Sequence, residues 1–191
     1  MKKFTRNRID IFKLIVLLCT TSCLFLSCSN SRKTYLARDI EAKAFIDFYR
    51  KEYIETDSIV IIKNSPNKNL ENCLLSLKNN PTNNNLLKAN FSLSDTTVKI
   101  IWNAKSMTNA TLIDSTNIQN ISQYKEWLHF KEKFGTSYYA FAQPIISNDL
   151  KSVLFYSEFY CGERCGYRRL GLYTKTKAGW KLIKYYCSLV S

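Results

Sequence analysis

Cys161-Gly162-Glu163-Arg164-Cys165 is the most compact reactive constellation in the chain. Gly162 and the adjacent Gly166 permit backbone angles that bring two sulfurs together. The first expectation is therefore a disulfide closing a hairpin loop. Arg164 beside Cys165 favours a thiolate, which leaves a redox pair as the alternative. Against it, the spacing is C-x3-C rather than C-x-x-C, and no βαβ pattern surrounds it. Cys73 and Cys187 are the other cysteines beyond the N-terminal region and form the candidate second disulfide, although spacing alone does not fix the connectivity. All four would suffice in number for zinc, but their separations are irregular. No metal site and no cofactor is assigned.

Conventional catalysis finds little footing. The chain has 1 histidine, His129, set between Leu128 and Phe130 on an expected helix. A Ser-His-Asp arrangement would have to use it. There is no Gly-x-Ser-x-Gly, phosphate loop or His-rich motif. Asp47 with Glu52, and Glu126 with Glu132, read as solvated helix faces. Glu158 lies on an apolar strand, where it is either a buried carboxylate or an outward group partnered by Lys or Arg, the second being preferred. No catalytic residue is assigned.

Charge points to anionic surfaces. The net charge is +13, from 28 Lys+Arg against 15 Asp+Glu. The first 28 residues carry Lys2, Lys3, Arg6, Arg8, Lys13 and Asp10, so the remainder keeps +9. Arg164, Arg168, Arg169, Lys181 and Lys184, interleaved with Tyr167, Tyr173, Tyr185 and Tyr186, are candidates for binding an anionic lipid or another envelope component. Alternation along strands would split such a patch between two faces, which favours a solvated sheet face. Nucleic acid, the usual partner of such a charge, is set aside because the chain reads as exported.

The elements that position these residues follow from periodicity. Helical spacing over Tyr35–Ile54 places Leu36, Ile40, Ala44 and Phe48 every fourth residue, with Phe45 and Tyr49 beside them. Ser58–Ile62 predicts a strand, Asn64–Asn69 a turn around Pro66, and Leu70–Leu77 an amphipathic helix. Asn79–Asn85 is a polar loop and Thr96–Trp102 predicts a strand, while Thr108–Asn120 carries no clear pattern. Ile121–Phe134 predicts a helix with Tyr124, Trp127, Leu128 and Lys131 along one side. Ser137–Ile146, Ser152–Tyr160, Tyr167–Thr174 and Trp180–Val190 predict strands separated by short turns, which is an antiparallel meander. The fold class is α+β, with N-terminal helices packed on a C-terminal antiparallel β-meander. The alternative is a cone of the NTF2-like kind, in which Trp180 and the aromatic strands line a small-molecule pocket. Residues 35–191 form one domain.

Two resemblances add to this reading. Phe25-Leu26-Ser27-Cys28 ends a segment with a basic start and an apolar stretch over Leu14–Leu18 and Leu24–Leu26. That segment resembles a bacterial lipoprotein signal with a lipobox, Phe25 standing where Leu is usual and Cys23 being a second candidate. The resemblance implies residues 1–28 as signal peptide, diacylation of Cys28 and residues 29–34 as a tether. Acyl chains anchor through ~0.8 kcal/mol per buried CH2. Ser29 in place of Asp implies the outer membrane, facing the periplasm. An ordinary secretory signal and an uncleaved anchor are the alternatives. The region KEWLHFKEKFG through PIISNDLKSVLFYSEFYCGERCGYRRLGLYTKTKAGWKLIKYYCSLVS is similar to a pattern in bacterial envelope proteins. There a strand ends in Cys-Gly-x-x-Cys-Gly and a Gly-Lys-Trp-like turn follows. That family brings no assigned chemistry. The functional expectation is a lipid-anchored binding or structural module of the envelope, with a thiol–disulfide protein as the alternative.

Overall fold

A computed structural model describes residues 35–54, 59–64, 66–80, 90–91, 101–104, 106–107, 109–121, 123–162 and 165–190. The signal segment, Cys28, the tether, Arg164 and residues 96–100 of the expected strand lie outside the described residues. The chain divides into two compact units, Met1–Ile40 and Glu41–Ser191. A helix, α1, runs over residues 35–53. Its buried stripe is Ala42, Phe45, Ile46, Tyr49 and Tyr53, at the i, i+3, i+4, i+7 spacing of one helix face. The expected stripe through Leu36, Ile40 and Ala44 is not the buried one: Leu36 is 62% and Ile40 60% exposed. On the outward side of α1, Lys43 pairs with Asp47 at 2.7 Å.

The second unit is built on a seven-stranded mixed sheet. The strands are β1 (Ile59–Ile62), β2 (Ala110–Ile113), β3 (Tyr138–Phe141), β4 (Ile145–Ile146), β5 (Ser152–Gly162), β6 (Cys165–Thr176) and β7 (Gly179–Val190). Their order is β2-β1-β3-β5-β6-β7, with β4 beside β5. The β3–β5, β5–β6 and β6–β7 pairs are antiparallel, as the meander predicts. β1 departs from that pattern, because it pairs in parallel with both β2 and β3. Its four residues Ile-Val-Ile-Ile are all buried. A strand flanked on both edges and covered on both faces needs that uniform apolar run rather than alternation.

β2 falls in the stretch that periodicity left unassigned. The strand expected at Thr96–Trp102 reduces, among the described residues, to an isolated bridge between Ile101 and Asn64. Trp102 instead turns inward and its indole N–H donates to the Phe141 carbonyl at 2.8 Å. The strand expected over Ser137–Ile146 is split into β3 and β4. Pro144 sits in the break, where it has no N–H to give to the ladder.

Helices cover both faces of the sheet. On one, α1 brings Phe45 and Tyr49 against Phe155, Tyr173 and Trp180; the Phe45 ring meets these three at 5.1, 5.0 and 5.6 Å, edge-on. Trp180 thus packs on the core and its neighbourhood is filled by α1, which is not the ligand-lining place given to it by a cone. On the other face lie α2 (Asn67–Asn79) and α3 (Tyr124–Phe134). α2 buries Leu70, Cys73, Leu74 and Leu77 with Leu154, Leu170, Leu172 and Tyr186. α3 packs Trp127, Phe130 and Phe134 toward Val60, Ile62 and Tyr138, and stops at Gly135, whose φ is 111°. Its expected side is rotated, since Tyr124 is exposed and Phe130 is the buried residue. Among the described residues, no helix is long and apolar enough to cross a membrane.

Candidate functional site: an arginine held among tyrosines

β6 alternates. Leu170 and Leu172 point to the α2 face, while Tyr173 belongs to the α1 face. Tyr167, Arg169 and Gly171 share the parity of Tyr173. Gly171 is required by this arrangement. A Cβ there would stand 2.5 Å from Cε2 of Tyr173, whose buried ring lies back over the glycine. Ser157 of β5 is the register partner of Arg169, and Tyr185 of β7 is the partner of Gly171.

Two irregularities in β7 set which residues meet Arg169. Tyr173 pairs with Leu182 but Leu172 pairs with Lys184, so Ile183 is an extra residue. This bulge resets the alternation. Trp180 and Leu182 face α1 before it, and Tyr185 does so after it, while Tyr186 joins the α2 cluster. A second bulge places Cys187 and Ser188 opposite Arg169, between the Leu170–Tyr186 and Arg168–Leu189 pairs. Cys187 adopts a φ of 49° and is disulfide-bonded to Cys73 of α2, with Cα atoms 5.8 Å apart.

The Arg169 guanidinium lies over two rings. Its carbon is 3.8 Å from the Tyr167 centroid and 4.5 Å from that of Tyr185. Such contacts are attractive because the ring face is electron-rich. Arg169 also hydrogen-bonds to the Tyr49 hydroxyl, and that hydroxyl lies 3.0 Å from the buried Ser157 Oγ. Tyr49 is sealed from solvent by Phe45, Phe141 and Phe155. Tyr53, one turn later on α1, stacks on Tyr49 at 5.1 Å and meets Tyr173 at 6.0 Å.

Electrostatically the cluster is one cation among neutral phenols. Burial opposes the Arg169 charge, but the Tyr49 hydrogen bond and the negative charges that Tyr49, Tyr167 and Tyr185 carry once ionised put its pKa above the usual arginine value. Burial likewise raises Tyr53, Tyr167, Tyr173 and Tyr185 above the ordinary phenol. Among the described residues the groups that act most on Arg169 are all tyrosines, and its Nε is buried without a hydrogen-bond partner.

The other residues singled out in the sequence fall elsewhere. Cys161 and Cys165 are disulfide-bonded across the β5–β6 hairpin, Cα atoms 5.0 Å apart, with Cys165 exposed. Gly162 there has a φ of 130° and lies against the Trp127 ring. Glu158 is partnered: Asn69 Nδ2 donates to it at 2.7 Å, the Tyr156 hydroxyl at 2.9 Å, and Arg168 Nε lies at 4.0 Å. His129 is exposed on α3. The basic residues divide. Register places Lys181 opposite Thr174 and Lys184 opposite Leu172, on the same face as Arg168, and Arg169 on the other. Lys184 Nζ lies 4.3 Å from the Tyr186 ring.

The sequence reading paired the basic residues with Tyr167, Tyr173 and Tyr185 but missed Tyr49, Tyr53 and Ser157. Their signal was the i, i+4 spacing of Tyr49 and Tyr53 within the buried stripe. Comparison with known proteins finds no matching family model, curated protein or solved structure.

Proposed function

We propose that this chain is an exported, lipid-anchored module of the bacterial envelope that binds or supports another component. Acylated Cys28 holds it to a membrane, the outer one, with the domain facing the periplasm. The observation that supports this reading most is the pairing of Cys73 with Cys187 and Cys161 with Cys165, all four cysteines after Cys28. Structural disulfides persist in oxidising compartments and are rare in the cytosol. The exposed position of His129 gives no support to a catalytic triad. Intact mass from native membranes tests the reading, with thiols alkylated before and after reduction. A diacyl mass on Cys28 and four oxidised cysteines agree with it; an unmodified N-terminus or reduced cysteines refute it.

A second reading, a thiol–disulfide protein, draws on the exposure of Cys165. A substrate thiolate would attack the Cys165 sulfur, displacing the Cys161 thiolate and forming a mixed disulfide. A second substrate thiol would then resolve it, leaving the substrate oxidised and both cysteines reduced. Turnover requires an envelope disulfide oxidant to restore the bond. Partial reduction of this pair alone in native membranes would favour this reading.

A further inference from the structure

Arg169 is built into the domain at a cost that packing alone does not explain. A charge withdrawn from water is unfavourable unless paired; Arg169 is half-buried, and among the described residues the groups leading its environment are tyrosines. A methionine or leucine would fill a sheet position beside Tyr173 and Phe155 without that penalty. Yet Arg169 is paired in register with Ser157, whose Oγ lies 3.0 Å from the Tyr49 hydroxyl, has its guanidinium over the Tyr167 and Tyr185 rings, and is set opposite a disulfide-held bulge. The two ring contacts restrict where the guanidinium can lie.

We infer that Arg169, with Tyr53 and Tyr185 beside it, binds the carboxylate of a small molecule that carries a flat aromatic or apolar body. An arginine edge offers parallel N–H donors that match a carboxylate. The Tyr53 and Tyr185 rings, both partly open to solvent, supply a wall for its apolar body. Their phenols stay protonated at neutral pH, since burial raises both. They donate hydrogen bonds and add no repelling charge. Arg168 is the contrasting group: it lies on the opposite face and already has Glu158 near it.

This inference deepens the binding half of the proposed function and rests on it, but its test does not involve the anchor. Full-length protein labelled with nitrogen-15 arginine, in neutral detergent, is titrated with sodium benzoate. Acetate and inorganic phosphate are the comparison probes. The Arg169 Nε–Hε resonance is expected to shift saturably with benzoate, more weakly with acetate and phosphate, while that of Arg168 responds only as it does to chloride. Arg169→Lys keeps the charge and loses the planar fork, so benzoate binding should weaken by roughly tenfold or more. Tyr53→Phe removes one phenol donor at a partly exposed position and should weaken binding severalfold, a test that survives if the Arg169 variant fails to fold. The inference is overturned if Arg169 does not respond to benzoate, if all arginines respond alike, if phosphate saturates the site before benzoate, or if both variants bind as wild type. Such a failure leaves the Cys28 mass result untouched, so the two readings fall separately.

Discussion

The two disulfides close loops of very different length, and their contributions to stability should differ accordingly. Cys73 and Cys187 are 114 residues apart, whereas Cys161 and Cys165 are separated by 4. In the chain-entropy picture a cross-link stabilises by restricting the unfolded chain, with a logarithmic dependence on loop length. That gives about 5 kcal/mol for the long bridge and about 2 kcal/mol for the short one. The perturbation is paired substitution, Cys73→Ala with Cys187→Ala against Cys161→Ala with Cys165→Ala. Alanine is chosen because Cys73 is only 6% exposed, and a serine there would bury a hydroxyl. Urea unfolding without reductant, followed by the fluorescence of buried Trp102 and Trp180, reads the outcome. With a slope of ~2 kcal/mol/M, the long-bridge variant should unfold at a midpoint ~1.5 M below the short-bridge variant. The reasoning also predicts the order of opening by a mild thiol: Cys161–Cys165 first, because Cys165 is exposed. Equal midpoints, or a lower midpoint for the hairpin variant, would refute it. That result would mean the short bond holds the Trp127–Gly162 contact more tightly than loop entropy allows.

Three further substitutions probe the arginine–tyrosine cluster and the turn before β5. Tyr49→Phe removes the hydroxyl that lies between Arg169 and Ser157, leaving a buried serine and an arginine short of partners. It should cost about 1–3 kcal/mol in urea unfolding. Gly171→Ala drives a Cβ into the Tyr173 ring, which has no exposed side to move toward, and should cost about 1–3 kcal/mol with a shift of Tyr173 visible by NMR. Asp149 has its carboxyl held below the ordinary 3.8, first by the Ser147 hydroxyl at 2.6 Å and then by the Lys151 N–H at 3.1 Å. Its folded pKa is depressed, so its contribution is complete above the unfolded value and is lost as pH falls through the folded one. Wild type should therefore lose stability below pH ~4 more steeply than Asp149→Asn, and parallel acid limbs in urea titrations would contradict this.

Element types were more legible in the sequence than element faces. The helix over residues 35–53 was plain, since apolar residues recur through it at helical spacing. Which of two overlapping stripes is buried was not, because Leu36 and Ile40 are as apolar as Phe45 and Ile46. The sheet decides: Phe155, Tyr173 and Trp180 present rings that Phe45 and Tyr49 can meet edge-on. The same holds for α3, where Trp127, Phe130 and Phe134 are selected by Tyr138 and Tyr160 on the sheet. β2 was illegible for another reason. Its Ala-Thr-Leu-Ile is too short to carry a period, and it exists as a strand because β1 offers it a parallel edge.

The arginine–tyrosine cluster was the least legible part because a single inserted residue defines it. A regular β7 that starts with Trp180 facing α1 would turn Lys184 and Tyr186 to that face and Tyr185 away from it. Lys184 would then lie opposite Gly171, and a second cation would stand beside Arg169. The bulge at Ile183 reverses this. It brings Tyr185 to the guanidinium, sends Lys184 to the other face over Tyr186, and leaves Ile183 itself 52% exposed. Nothing in Leu182-Ile183-Lys184 marks the insertion, since any of the three suits a strand. The second bulge follows a similar logic, because Cys187 holds a left-handed backbone that a non-glycine residue resists. The bond to Cys73 supplies the constraint from α2, so the setting of Arg169 depends on a bond that joins Cys187 to a residue 114 positions before it. The chemistry of the site is thus a property of strand register, and it is written in the pairing of β6 with β7 rather than in the spacing of the residues that carry it.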